Sequence, residues 1–396
     1  MPNTPTDRLH ALDAVRAFAL LLGIFYHATI SFFPGWMPWP IMDTQRSVGL
    51  AGAGYVSHIF RMSTFFFLAG FFGHMMHQRI GTTAFIKGRL KRIGIPFLVG
   101  WPIIFGAFIA VVIWAVYVQN GGSFPENPPP QPPLTWKTFP MTHLWFLYVL
   151  AIFYVVMLGF RALIGLIDRK QRLAGVIDKA TVGLFSTPFL AVVLALPITI
   201  ALILHDPWYA WWGIPTPDYG FLPNTPALIG YGTAFVFGWA LHRQPKLIHR
   251  FEKPWPLYFI AAIGFTAICI SMIGISSLFE TLPMGWKKAG YAASYGLAIW
   301  CWTFAFIGAA LRFLSGYSPV RRYLADSSYW LYLIHLPIIM AAQVFVSQLD
   351  MSPYVKYTLI MGVSLPVMLL SYHLLVRYSF IGAVLNGKRK PKRSKT

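Results

Sequence analysis

Charge is what this 396-residue chain has least of. Only 11% of its residues are Asp, Glu, Lys or Arg, less than half of the roughly 25% found in soluble domains. Acidic residues are the rarer sign, 12 against 32 basic ones. With 57% hydrophobic residues, 17% aromatics and a mean hydropathy of +0.58, a soluble fold has too little interior to hide the apolar surface. Lipid must therefore solvate most of the chain. An ordinary cytosolic enzyme, a disordered chain and a coiled coil are excluded together. Cysteine is nearly absent: Cys269 and Cys301 sit in apolar runs and supply neither a disulfide framework nor a metal-ligand cluster. The histidines are not at metal-ligand spacing, so no metal is expected. GxxxxGK[ST], HExxH, GxSxG and GxGxxG are all missing, as is an H-x4-D motif at His27. The N-terminus lacks a basic stretch followed by a small-residue cleavage site, so no removable signal peptide is expected.

What is present is a series of about ten apolar segments near the ~20 residues that span a bilayer as helix: 11–33, 48–76, 95–118, 143–166, 183–204, 226–241, 255–279, 289–312, 327–347 and 354–377. The runs are continuous and not alternating, which predicts an all-α, polytopic transmembrane bundle and not a β-barrel. The net charge of +20 does not point to nucleic acid, because the basic residues lie in the short gaps between apolar runs. The even-numbered gaps and both ends hold most of them. The odd-numbered gaps hold only Arg46, Lys137, Lys287, Lys288 and Lys356. That asymmetry predicts that both termini are cytoplasmic and the helix count is even. Residues 1–378 read as the membrane domain and 379–396 as a basic cytoplasmic tail suited to anionic lipid. On the opposite side, residues 119–142 are proline-rich and stiff, and residues 205–225 are aromatic, with Asp206 and Asp218 but no Lys or Arg.

Ionisable residues within spanning segments are functional candidates. The first segment, LDAVRAFALLLGIFYHATISFF, places Asp13 three residues before Arg16 and hence beside it on a helix. Arg16 and His27, eleven apart, fall on one face about 16 Å apart along the axis. The second segment carries His58 and Arg61. Arg61 is too deep to reach water easily and calls for an anionic partner, either a protein carboxylate or a carboxylate of the substrate. His143 opens the fourth segment and His335 lies inside the ninth, two residues before Pro337, whose ring loosens the helix and frees backbone groups. His58, His143 and His335 on different helices suggest a shared polar cavity. Arg89, Lys91 and Arg92 on the cytoplasmic rim read either as topology determinants or as a phosphate clamp. Trp208, Trp211 and Trp212 read either as an interfacial aromatic belt or as faces for stacking sugar rings.

Together these residues resemble the integral-membrane acyltransferases of acyltransferase family 3. The likeness rests on Arg16 and His27 in LDAVRAFALLLGIFYH, on FFFLAGFF followed by Arg89 and Arg92, and on YWLYLIHLP near the C-terminus. It extends to RMSTFFFLAGFF, RLKRIGIPFL, HLWFLYVL and the terminal GKR, as in the members that succinylate osmoregulated periplasmic glucans. Two departures stand out. Ala69 replaces a common Ser, and residues 167–225 show no clear match.

The resemblance implies transfer of an acyl group from cytoplasmic acyl-CoA, succinyl-CoA or acetyl-CoA, to a glycan hydroxyl on the far side, with no permanently bound cofactor. In that scheme Arg89, Arg92 and Lys91 hold the CoA phosphates, and His27 is the general base. Asp13 and Arg16 position the pantetheine arm or steady the helix, and Arg61 selects a dicarboxylic acyl group. The expected partners are membrane lipid, acyl-CoA, a glycan acceptor and, as a candidate, a second copy of the chain. The rivals are an O-acetyltransferase of lipopolysaccharide or capsule and a transporter or flippase. No inverted repeat of the transporter kind is evident.

Overall fold

The computed structural model describes residues 10–35, 37–127, 133–168, 172–276 and 279–387. The tail Lys388–Thr396, the prolines Pro128, Pro129, Pro130 and Pro132, and the basic residues Arg8, Arg169 and Lys170 lie outside the described residues. In lipid every backbone N–H and C=O must be satisfied within the chain, and the fold is accordingly helical. The helices are α1 (His10–Thr29), α2 (Val48–Ile80), α3 (Thr82–Arg89), α4 (Ile95–Gln119), α5 (Trp145–Ile167), α6 (Arg172–Phe185), α7 (Leu190–Leu204), α8 (Thr225–Leu241), α9 (Trp255–Ile273), α10 (Trp286–Phe313), α11 (Pro319–Ser347), α12 (Pro353–Ser371) and α13 (Phe380–Leu385).

Each of the ten apolar segments falls on a helix, but not all of these have the length to cross a bilayer. Among the described residues eight do, or nine if α6 and α7 count together. The segment at 183–204 is broken: α6 and α7 meet at 109°, across a short link that contains Pro188. The segment at 226–241 forms α8, only 17 residues long. It makes up in closeness what it lacks in length. A Cβ at Gly70 of α2 would run into the carbonyl oxygen of Phe235, and one at Gly238 of α8 into that of Phe67. The two backbones touch reciprocally, the device by which helices associate where no hydrophobic driving force exists.

α1, α2, α10 and α11 are largely buried, whereas α4, α5 and α9 turn most of their length outward. α13 folds back onto the bundle: Asn386 donates to the carbonyl of Asp326 at 2.8 Å. Residues 380–387 are therefore not a detached tail.

Lys356, expected at the edge of the last span, is instead fully buried with Asp43, its Nζ 2.7 and 3.0 Å from the two carboxylate oxygens. The pair fastens the loop after α1, which carries Trp39, to α12. Replacing Lys356 by Met strips a buried carboxylate of its ion-pair partner, a change that costs about 3–5 kcal/mol. Thermal unfolding in detergent should show a clear drop in midpoint for Lys356→Met, partly restored by adding Asp43→Asn. An unchanged midpoint for the single variant would contradict this account.

Candidate active site

Side chains from α1, α2, α5, α8 and α11, with the α3–α4 junction and the two long loops, enclose one cavity of about 1600 Å³. That exceeds the roughly 300–1,000 Å³ of ordinary small-molecule sites. On α1 it is lined from Arg16 to His27, about 16 Å of helix axis at 1.5 Å per residue. That is about half the thickness of a hydrocarbon core of roughly 30 Å.

One end is cationic. Arg16, Arg89, Arg92 and Arg322 line it, with Asp326 and Asn386. Arg16 lies 3.3 Å from Asp13 and donates to the carbonyl of Ala325 at 3.2 Å. Asp13 itself is not on the wall; it stands behind Arg16 and fixes it. Arg89 precedes, and Arg92 lies within, a π-helical turn, Leu90–Gly94, between α3 and α4. Such turns are inserted where a helix must re-aim side chains, frequently at functional sites. The Arg89 guanidinium lies over the rings of Phe85 (4.8 Å) and Tyr154 (5.1 Å). The Arg92 carbonyl accepts from the Tyr329 hydroxyl. Lys91 is exposed and stands off the wall. Arg322, easily read as a topology charge, joins the cluster and pairs with Asp326 at 2.7 Å.

At mid-depth three imidazoles meet. The His27 and His335 rings are 5.2 Å apart, and those of His335 and His143 4.9 Å. Proline explains their placement. Pro337 has no N–H to give the carbonyl of Leu333 one turn earlier, and His143 Nε2 bonds that carbonyl at 3.0 Å instead. His335 is oriented by Nδ1 to the Tyr332 carbonyl at 2.7 Å. His27 stacks on Trp39 at 5.9 Å, and its Nδ1 is buried without a hydrogen-bond partner among the described residues. Gln343 organises this corner: it accepts from the Trp39 indole at 3.0 Å and donates to the His27 carbonyl at 2.9 Å.

Arg61 is buried beside them. Its guanidinium lies over the Tyr26 ring at 4.5 Å, and its Nε and Nη1 have no hydrogen-bond partner among the described residues. No protein carboxylate pairs with it there. His58 stacks on the other partner of this group, Tyr26, at 4.8 Å and bonds the carbonyl of Trp212 at 3.1 Å.

The far end is lined by Trp212, Tyr209, Tyr219, His205 and Asp218. Burial pushes the Asp218 carboxyl up to about 6. Trp208 and Trp211, grouped with Trp212 as sugar platforms, offer no face to the cavity. Trp208 is wholly buried, its indole donating to the carbonyl of Gly213 at 2.7 Å, and Trp211 packs against Phe33 and Tyr55. Among the described residues no three His, Cys, Asp or Glu side chains are grouped to hold a metal.

A helical bundle with a large internal cavity, cationic at one end and imidazole-lined at the centre, has the makings of a membrane-embedded enzyme. The sequence model of the acyltransferase 3 family, described as an acyltransferase domain, matches residues 9–373, and the chain belongs to this family of membrane acyltransferases. Curated relatives include the glucans biosynthesis protein C of Salmonella paratyphi B, Salmonella heidelberg and Salmonella agona. Each is 32% identical over 165 residues, which cover 40% of this chain and 40% of the relative. The match thus spans about two fifths of the length of those relatives. No solved structure matches.

Proposed function

We propose that the protein transfers an acyl group, succinyl in preference, from acyl-CoA to a hydroxyl of a glucan, across the inner membrane of a bacterium with both termini in the cytoplasm. The observation that carries this reading is the placement of His27 midway between an arginine cluster and an aromatic vestibule in one cavity. In this scheme the CoA phosphates rest on Arg89, Arg92 and Arg322, whose forks suit phosphate oxygens, and the pantetheine arm runs past Arg16. His27 takes the proton of the attacking hydroxyl. The new C–O bond forms at the thioester carbonyl, the C–S bond breaks, and the same proton passes from the imidazolium to the departing thiolate.

The name of the Salmonella relatives supports a glucan acceptor, and the unpaired Arg61 supports an acyl group with a free carboxylate. The test is incubation of purified protein with succinyl-CoA or acetyl-CoA, following CoA release with and without gluco-oligosaccharide. Glucan-dependent release with succinyl-CoA is expected. Release only with acetyl-CoA, or only with another surface glycan, would replace this donor or acceptor assignment.

Arg89→Ala combined with Arg92→Ala should weaken acyl-CoA binding on the order of 100-fold or more, since two charge-assisted contacts contribute roughly 1.5–3 kcal/mol each. Calorimetry showing unchanged affinity would leave the pair as topology determinants.

A further inference from the structure

Among the described residues, two carboxylates, Asp326 and Asp218, line the cavity. Asp326 is engaged with Arg322. Asp218, at the opposite end, is half-buried, forms no ion pair with a cationic side chain among the described residues, and lines the cavity. A carboxylate kept partly out of bulk water with no cationic partner is costly and calls for a use.

Its backbone, by contrast, is firmly held. The 218 carbonyl accepts from Met141 N at 2.8 Å. Gly220 N donates to Phe139 O, and Phe221 N to Trp136 O, both at 2.9 Å. Gly220 has φ +72°, and a Cβ there would lie 2.6 Å from the Lys137 carbonyl oxygen, so the close pairing of the two loops requires glycine. Trp101 of α4 donates to Pro140 O at 2.8 Å and ties the rim to the bundle. The rim is therefore preformed, with an acceptor group presented inward beside the aromatic side chains of Trp212 and Tyr219.

We propose that Asp218 is the acceptor-recognition residue: its carboxylate takes hydrogen bonds from the hydroxyls of an uncharged sugar whose ring lies against Trp212 or Tyr219. A carboxylate with flanking aromatic faces suits a neutral polyol, which is rich in O–H donors and has apolar C–H faces. It repels a uronic acid or a phosphorylated sugar. Asp218 thereby confers a charge preference on the acceptor. With a dicarboxylic acyl group, it also disfavours rebinding of an already substituted glucan, which has become an anion. This inference rests on the acyl-transfer reading above and specifies the acceptor class at the same cavity.

The experiment uses the full-length protein in detergent with succinyl-CoA and two acceptors, a neutral gluco-oligosaccharide and one of equal length containing a uronic acid. In Asp218→Asn the KM for the neutral acceptor should rise about tenfold or more, the loss of one hydrogen bond to a charged group. The neutral-to-uronate preference should fall, while acyl-CoA affinity and acceptor-independent CoA release stay unchanged. Asp218→Glu should keep the charge preference. An unchanged acceptor KM and preference in Asp218→Asn would overturn the proposal. So would loss of acyl-CoA affinity in both variants, which would mark a structural role. A wild type that releases CoA but acylates neither oligosaccharide would overturn the glucan reading and this one with it. Transfer by the wild type with unmoved Asp218→Asn kinetics would overturn this one alone.

Discussion

His27→Ala should lower acyl transfer at least roughly a thousandfold, within the range for loss of a positioned acid–base group, while acyl-CoA affinity stays close to that of the wild type. The donor contacts assigned to arginines lie at the other end of the cavity from the imidazole cluster, so removal of one ring there leaves them intact. Trp39, His335 and the carbonyl contact from Gln343 surround His27 without depending on its ring for their own hydrogen bonds. The variant should therefore fold. Single-turnover measurement of CoA release in the presence of acceptor, paired with donor binding, checks the expectation. Turnover near the wild-type rate would remove His27 from the reaction and leave His335, its 5.2 Å neighbour, as the base to test.

Arg61→Gln should shift the donor preference from succinyl-CoA toward acetyl-CoA by roughly 10–100-fold, the value of one charge-assisted contact. The guanidinium has two buried nitrogens with no hydrogen-bond partner among the described residues and an aromatic ring as its neighbour. A ring face stabilises a cation but accepts no fork of hydrogen bonds. A succinyl carboxylate would fill that need, whereas an acetyl group has nothing to offer it. If Arg61 serves only to hold Tyr26 and α2 in place, the substitution impairs both thioesters alike. Competition between equal concentrations of the two donors decides: an unchanged product ratio would sink the selectivity role. A wild type that prefers acetyl-CoA would sink the succinyl assignment itself.

The parts of this site written within a single helix could be read directly. Helical periodicity puts Arg16 and His27 on one face, and both reach the cavity wall. Pro337 announces a carbonyl without a helical donor, though not that His143 would supply one from α5. Contacts between distant segments left little local trace. Trp39 and Gln343 are 304 residues apart in sequence, and only the polarity of Gln343 inside the apolar run MAAQVFV hinted at a task there. Lys356 read only as a basic residue of an odd-numbered gap, because its sequence neighbourhood does not reveal Asp43, its partner 313 residues away. Three tryptophans within five residues invited one shared role, yet a tight turn at Gly213, φ +60°, sends only Trp212 to the cavity. The break between α6 and α7 was hidden because only the last, apolar turn of α6 joins the run at 183–204, the rest of α6 carrying Arg172, Asp178 and Lys179.

The cavity's charge distribution has a consequence for the cell's energy supply. In the proposed reaction, a passage that admitted a thioester from one face and a sugar from the other would have to do so without discharging the gradient maintained across the same membrane. Five arginines, Arg16, Arg61, Arg89, Arg92 and Arg322, line its length, against Asp218 and Asp326 near its two ends. A fixed positive potential in a low-dielectric wall raises a barrier to hydronium and sodium, as single arginines do in water-conducting pores. The side chains proposed to draw in anionic reactants would thus act as electrical insulation, and replacing several of them at once risks a conductance as well as a lost activity.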